Sequence, residues 1–231
     1  MVDVAAEWEE EYAEREYRIR LPEGYDPEKP YPVLFYGGGC GNPYGDHPAE
    51  SEYGDQVILV LLRLVMPCFN TGESSPEIPY FDAALADIEA RYCVDEERLF
   101  VTGYQSGAVL ASLLSCSHGD VLRGVAIASG GEPVLPTCTG PVAGLLVGGT
   151  QAEVLPIEGP NGLAAVRDRL RTENGCDGTS AAWDERWPYC ETSTGCDDNP
   201  VVFCAYEGGL TNGQEDELFP QGYWDFFMAL P

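Results

Sequence analysis

The sequence is poor in basic residues. Only 12 lysines and arginines stand against 39 aspartates and glutamates in 231 residues, so the formal net charge is -27 at pH 7. A surface of this charge repels phosphate backbones and anionic lipid headgroups. We therefore expect neither nucleic acid nor a membrane as a partner, and we attribute the scattered acidic residues to a solvating surface.

Histidine is scarce, and the cysteines lack metal-binding spacing. The chain has two histidines, His47 and His118, and none of its nine cysteines belongs to a C-x-x-C pair. A zinc site of cysteine and histidine is therefore not expected. The acidic pair Asp197-Asp198, near Glu191, lacks the regular alternation of calcium ligands and indicates solvated loop acids. The sequence predicts neither a metal nor an organic cofactor.

Long apolar runs are also missing. The longest run, 57–66, is interrupted by Arg63 and is too short to span a bilayer, so it predicts a buried strand. Acidic residues follow Met1 closely, with neither the basic nor the apolar region of a secretory signal. An exported protein would therefore have to begin here after its cleavage site.

Nine cysteines are many for a cytosolic protein of this size. Disulfides formed in an oxidising compartment explain them better than a reduced cytosol does, and predict a secreted or periplasmic protein. The stretch 176–204 holds four cysteines among Gly, Asp, Thr and Pro, and we expect a disulfide-linked loop excursion there. Cys190 and Cys196 are close enough for a small local loop, although spacing leaves the connectivity open. Because nine is odd, at least one thiol stays free or pairs between chains.

Strand and helix patterns alternate after a charged N-terminal lead, residues 1–15. Alternation of apolar and basic residues over 17–21 predicts an outer strand with one wet face. Continuous apolar runs predict strands covered on both faces, at 32–36, 57–65, 99–102, 125–128, 142–147 and 201–206. Helical spacing predicts helices over 80–92, 108–116, 162–172 and 223–230. The pattern predicts one α/β domain over 1–231, with a mostly parallel sheet and helices on both faces.

The most informative motif is Gly103-Tyr104-Gln105-Ser106-Gly107. It has the frame of the G-x-S-x-G elbow, in which a buried strand turns sharply into a helix and the central side chain is thrust out above the sheet. The two glycines let strand and helix approach closely. Glutamine occupies the central position, and Ser106 comes one place late, so its hydroxyl is expected to point elsewhere.

Segments in the same order along most of the chain resemble α/β-hydrolases of the polyhydroxybutyrate depolymerase, feruloyl esterase and acetyl xylan esterase type, which are secreted. The most specific local match is Ala90-Arg91-Tyr92-Cys93-Val94-Asp95, which precedes the elbow strand. The other matching segments are 17–22, 25–27, 32–41, 81–95, 149–150, 154–156, 174–176, 208–209 and 224–227. The resemblance implies the α/β-hydrolase fold and a serine, aspartate and histidine triad in that chain order.

The triad implied by this resemblance is not found in the sequence. The nucleophile position falls on Gln105, the acid position on Ala152 next to Glu153, and the base position on Leu210 after Gly208-Gly209. Replacement of the expected residue at all three triad positions indicates a chain that no longer performs serine-hydrolase catalysis. An oxyanion hole of backbone amides can outlast side-chain loss, so Gly38, Gly39, Tyr104, Gln105 and Ser106 are predicted to bind a ligand.

A displaced triad is the alternative. Ser106 could act with His47, oriented by Glu153 or Glu132; otherwise Ser106 is a first-turn helix residue that caps backbone amides. His118 is predicted at the opposite edge of the sheet.

The aromatic residues Trp183, Trp187 and Tyr189 have two interpretations. They could stack on a sugar or an aromatic acid, or they could form a small core beneath the disulfide-linked loop.

Three functional hypotheses result. The first is a triad-less homologue of the esterases, inactive or binding only a small ester, a hydroxy acid, or an aromatic or sugar ligand. The second is an active carboxylic ester hydrolase that uses Ser106 or a displaced triad. The third is a redesigned hydrolase scaffold without catalysis.

Overall fold

The computed structural model describes residues 2–3, 14–44, 55–65, 67–72, 74–131, 137–209, 218 and 221–231. In these ranges a short antiparallel pair, β1 (Val2–Asp3) and β2 (Glu14–Arg15), precedes a nine-stranded sheet. The sheet strands are β3 (Tyr17–Arg20), β4 (Tyr31–Gly37), β5 (Ile58–Leu62), β6 (Val94–Tyr104), β7 (Gly124–Ala128), β8 (Ala143–Gly149), β9 (Ser180–Asp184), β10 (Trp187–Ser193) and β11 (Val201–Tyr206). The helices are α1 (Glu77–Arg91), α2 (Ser106–Ser117), α3 (Leu163–Glu173) and α4 (Gln221–Met228).

The sheet runs in the order β3-β5-β4-β6-β7-β8-β11-β10-β9. The six strands from β5 to β11 in this order are parallel, while β3 at one edge and β10 and β9 at the other are antiparallel to their neighbours. Because the central strands are parallel, their carboxyl ends meet at one edge of the sheet, where such folds bind ligands.

Helices cover both faces of the sheet. Alternate residues of β4 point to opposite sides, so Phe35 joins the core that α1, α2 and α3 cover, whereas Leu34 joins the core under α4. The long buried strands explain the continuous apolar runs in the sequence. The predicted mostly parallel α/β fold with helices on both faces is confirmed.

Boundaries differ slightly from the expected ones. Helix α1 begins at Glu77, three residues before the predicted start, and Pro79 lies in its first turn. Proline is tolerated there because the first amides of a helix have no intrahelical acceptor. The edge strand β3 alternates between half-buried and exposed residues, as its sequence indicates.

The disulfides are Cys40–Cys68, Cys116–Cys138, Cys176–Cys196 and Cys190–Cys204, and Cys93 is the free, half-buried thiol. The local pairing of Cys190 with Cys196 does not form, because Cys190 lies directly opposite Cys204 on the adjacent strand. The segment 176–204 is cross-linked as expected, but it also contains the two antiparallel strands β9 and β10. Their signal in the sequence is weak because β9 is a largely exposed edge strand and β10 mixes buried with exposed residues. The pairing of the two strands also shifts register between Trp187 and Glu191.

Within the described ranges, no helix combines the length and the apolar character needed to cross a membrane.

Candidate functional site

The elbow lies between the carboxyl end of β6 and the start of α2. Gln105 connects them with φ 50° and ψ -112°, a backbone conformation that a residue with a side chain rarely adopts. Its amide donates to the carbonyl of Ala128 on β7 at 3.1 Å, and its carbonyl accepts from Val109 at 3.0 Å. Strain of this kind persists only where the surrounding structure fixes it, and it is the geometry that the G-x-S-x-G motif requires of its central residue.

Close backbone packing fixes the turn. A Cβ atom at Gly107 would lie 1.8 Å from the carbonyl oxygen of Gly37, and one at Gly103 would lie 2.2 Å from the backbone of Gly107. The Gly107 amide also donates to the carbonyl of Gly38 at 2.9 Å. The glycines of the motif therefore allow β4, β6 and α2 to touch, as the sequence indicates.

The Gln105 side chain is half-buried and faces the glycine-rich segment that follows β4. A Cβ atom built on Gly39 would be 2.8 Å from Oε1 of Gln105 and 3.5 Å from the ring of Tyr104. The predicted ligand-binding residues Gly38, Gly39, Tyr104 and Gln105 are thus neighbours. The residue at the centre of the motif presents a carboxamide to this segment.

Ser106 begins α2 and is buried, with 8 % of its surface exposed. Its Oγ accepts a hydrogen bond from the amide of Phe69 at 2.8 Å. Ser106 therefore binds a backbone amide, as one interpretation of the sequence expected, but the amide belongs to the loop after β5 rather than to its own helix. As the first helical residue, Ser106 has no intrahelical acceptor for its own amide.

A cavity of about 450 Å³ opens beside the elbow. This volume falls in the range of small-molecule sites, roughly 300–1,000 Å³. Its polar lining residues are Thr71, Gln105 and Ser106, and the others are apolar: Cys40, Cys68, Phe69, Val109, Val154 and Leu155. The Cys40–Cys68 disulfide therefore forms part of the wall.

The turns that follow β8 and β11 meet at the same edge. Thr150 and Gln151 donate their amides to the carbonyls of Tyr206 and Gly208, at 2.9 and 2.7 Å. Ala152 lies half-buried in the first turn, and Glu153 beside it is exposed. The structure brings the predicted acid turn and the Gly208-Gly209 turn together.

Two further candidates of the displaced triad, His47 and Glu132, lie outside the described residues. Leu210, at the implied base position, also lies outside them.

A buried ion pair, which the sequence analysis missed, supports the cavity wall. Arg15 and Glu77 are 1 % and 0 % exposed and form a salt bridge. Glu77 Oε1 also accepts from the amide of Asn70 at 3.0 Å, next to Phe69. Burial raises the pKa of Glu77, and the Arg15 guanidinium opposes this rise. No local pattern in the sequence marks a pair separated by 62 residues.

His118 lies at the far end of α2, as expected, and there the structure assembles a second set of triad-like residues. Its Nδ1 is 2.8 Å from Oγ of Ser117, and its Nε2 is 2.7 Å from Oδ1 of Asp82. Ser117 Oγ also donates to the carbonyl of Leu113 at 3.2 Å. This set lies at a helix C-terminus, where carbonyl oxygens and the negative end of the dipole oppose the formation of an oxyanion.

The aromatic residues of the Cys-rich segment pack against one another and against α4. Trp187 is buried and stacks on Trp183 with ring centroids 5.3 Å apart, and Tyr189 meets Tyr206 edge to face. This is the small aromatic core that one interpretation of the sequence expected, although Trp183 remains half-buried.

Comparisons with known proteins agree with this geometry. No family model matches the chain. The chain is 30 % identical over 236 residues to a probable feruloyl esterase C of Aspergillus niger, and 30 % identical over 235 residues to feruloyl esterase C of Emericella nidulans. Both alignments cover 93 % of this chain and 84 % of the relative.

Solved structures share the fold at lower identity. An acetyl xylan esterase from Aspergillus awamori matches with a TM-score of 0.70 and 14 % identity, covering 92 % of this chain and 93 % of that one. A ferulic acid esterase from Anaeromyces mucronatus, in complex with ferulic acid, matches with a TM-score of 0.59 and 16 % identity, covering 94 % of this chain and 85 % of that one. On its similarity to the feruloyl esterases over nearly its whole length, this chain belongs to the feruloyl esterase family of α/β-hydrolases.

Proposed function

We propose that this chain is a non-catalytic member of its family that keeps a ligand cavity at the elbow. The observation that carries the proposal is Gln105, which has the strained backbone of the elbow, with φ 50° and ψ -112°, and a carboxamide in place of a hydroxyl. A carboxamide nitrogen is not a nucleophile at neutral pH, so the residue that the elbow presents has no means of attacking an ester.

The neighbouring residues support this proposal. Ser106 Oγ is buried and bound to the amide of Phe69. Ala152, at the position where the resemblance implies the acid, carries no carboxyl group, and Glu153 beside it is exposed. Leu210 stands where the resemblance implies the base, and this assignment rests on the sequence alone.

The cavity suits a small ligand with one oxygen-rich end. The Ser106 amide at the start of α2 and the positive end of the helix dipole are placed to stabilise a carbonyl or carboxylate oxygen. The apolar walls around Phe69, Val109 and Leu155 suit an aromatic or short aliphatic body. Since relatives carry the names of feruloyl esterases, we assign an aromatic carboxylic acid or its ester as the ligand class. Four disulfides support a secreted or periplasmic location.

The second candidate function is an active esterase that uses Ser106. The observation in its favour is that Ser106 lines the cavity beside Gln105. It requires the Phe69 amide to release Oγ and a base to come from residues outside the described ranges.

Restoring the triad tests the proposal. The triple variant Gln105→Ser, Ala152→Asp, Leu210→His should hydrolyse a short-chain nitrophenyl ester at least about 10³-fold faster than the parent chain, because triad members act as a unit. Steady-state hydrolysis with circular dichroism as a folding check gives the result.

The matched control carries Ala152→Asp and Leu210→His with Gln105→Ala, and it should stay at the parent rate. A folded triple variant without activity would contradict the placement of these three positions. A parent chain that is already as active as the triple variant would overturn the proposal of a non-catalytic protein.

A further inference from the structure

A second, smaller cavity lies far from the elbow. It occupies about 250 Å³ between the hairpin β9–β10, the start of β11 and the helix α4. Pro200 and Val202 line it at the amino end of β11, whereas Gln105 follows the carboxyl end of the parallel strand β6. The two cavities therefore open at opposite edges of the sheet.

An aromatic ring in a fixed orientation forms one wall. Trp183 stacks on Trp187 with an interplanar angle of 18°, and Phe226 meets Trp183 edge to face at 6.4 Å. The guanidinium carbon of Arg186 lies 4.2 Å from the centroid of Trp187. Because Trp187 is buried and holds Trp183 in place, a ligand in this cavity meets a rigid apolar ring.

One cation and two carboxylates form the other wall, so this cluster carries one net negative charge. Arg186 lies between two carboxylates, with Nη2 at 2.7 Å from Asp184 Oδ2 and Nη1 at 2.9 Å from Asp225 Oδ2. Gln221 Nε2 donates to the other oxygen of Asp225 at 2.6 Å. Hydrogen bonds from Arg186 lower the pKa of Asp184, so this carboxylate remains an acceptor at neutral pH.

This arrangement selects the charge of a ligand. Arg186 already occupies the space between the two carboxylates where a cation would bind. An anion is repelled by the net negative cluster and by a chain of net charge -27. Asp184 already accepts from the backbone amide and the guanidinium of Arg186 at both of its oxygens, whereas each Asp225 oxygen accepts one hydrogen bond. A neutral polyhydroxyl compound has donors for the remaining lone pairs of Asp225 and acceptors for the remaining guanidinium hydrogens of Arg186. The C–H face of a sugar ring is apolar and packs on an aromatic ring.

We propose that this cavity, with Trp183 as the platform and Arg186 and Asp225 as the polar contacts, binds one ring of a neutral carbohydrate. The volume is below the usual range for drug-sized ligands, roughly 300–1,000 Å³, and suits one ring of a longer chain that continues into solvent. The site is independent of the elbow, so it is able to hold a polysaccharide whether or not the elbow catalyses hydrolysis.

Titration of the whole chain with xylohexaose and cellohexaose, followed by protein NMR or calorimetry, tests the proposal. At least one neutral oligosaccharide should bind, and an oligogalacturonate of similar length should not. Trp183→Ala should weaken binding roughly tenfold through loss of the aromatic platform. Asp225→Asn, which keeps the shape of the side chain, should also weaken binding. This second variant keeps the proposal testable if Trp183→Ala does not fold.

Val154→Trp is the matched control, because it fills the mouth of the elbow cavity from an exposed position and should leave the affinity unchanged. Three results would overturn the proposal: no binding of either neutral probe to folded protein, unchanged affinity in both variants of the second cavity, or loss of affinity in Val154→Trp alone.

Discussion

The two ends of helix α2 each have a different feature of a serine hydrolase: one has the elbow backbone, and the other has serine, histidine and aspartate side chains. At its N-terminus the backbone has the elbow geometry and lies beside a mostly apolar cavity, but Gln105 is the central residue. At its C-terminus Ser117, His118 and Asp82 form a continuous chain of hydrogen bonds without an elbow. The first end presents a carboxamide on the elbow backbone, and the second has serine, histidine and aspartate side chains without that backbone.

The comparison shows that residue types alone do not make a catalytic site. An attacking serine needs donors aimed at the developing oxyanion, and the N-terminus of a helix supplies amides and positive potential. The C-terminus supplies carbonyl oxygens and negative potential, which suit a histidine paired with Asp82 as a structural contact. We therefore assign the ligand cavity to the first end and only a packing role to the second.

The largest effect is expected from the ion pair that supports the elbow cavity. Arg15→Met should lower the free energy of unfolding by about 3–5 kcal/mol, because it leaves the Glu77 carboxylate buried without its cation. Urea unfolding measures the loss. The double variant Arg15→Met, Glu77→Leu should recover most of it, since no buried charge remains.

The pH dependence sharpens this prediction. Burial raises the pKa of Glu77 in the folded state, so the neutral form favours folding, and stability is lost as the pH rises through the folded-state pKa. Without Arg15 this shift should grow. The deficit of Arg15→Met relative to the parent chain should therefore shrink toward acidic pH, and a deficit that stays constant with pH would contradict the assignment.

A smaller effect is expected from a methyl group added at the glycine contact between β4 and α2. In Gly107→Ala the added methyl group meets the Gly37 carbonyl at 1.8 Å in the present backbone, so β4 and α2 must separate. We expect a loss of about 1–3 kcal/mol, as for overpacked cores. Gly72→Ala is the control at the same edge, because its nearest contact is an ordinary 3.6 Å. Equal stability of the two variants would show that the elbow tolerates separation.

The smallest effect is expected at the other end of α2. Asp82→Asn should cost less than about 1 kcal/mol, because the carboxylate is 59 % exposed and its pairing with His118 is screened by water. Ester hydrolysis should not change. Glu89→Gln, another exposed carboxylate on α1, is the control for the loss of charge. Measurable ester hydrolysis by the parent chain that falls in Asp82→Asn but not in Glu89→Gln would place catalysis at the C-terminus of α2 and contradict this account.

The fold could be predicted from local sequence because its parallel strands are buried on both faces and their apolar runs are continuous, as in β4 and β8. The elbow could be predicted because its glycines lie where a side chain would clash with neighbouring backbone, and this requirement leaves a local motif in the sequence. The pair Arg15–Glu77 and the chain from Ser117 to Asp82 could not be predicted, since they depend on side chains that only tertiary packing brings together. The strands β9 and β10 were not predicted because neither contains the valine, isoleucine or leucine residues of a typical buried strand.

Intact-mass measurement after incubation with a fluorophosphonate probe tests the central claim most directly. The restored triple variant, which should take up one adduct at position 105, serves as the positive control. For the parent chain we predict no adduct in folded protein and no turnover of a nitrophenyl ester, because Gln105 offers no nucleophile and Ser106 Oγ is bound to Phe69. A stoichiometric adduct on Ser106 of the parent chain would contradict the account.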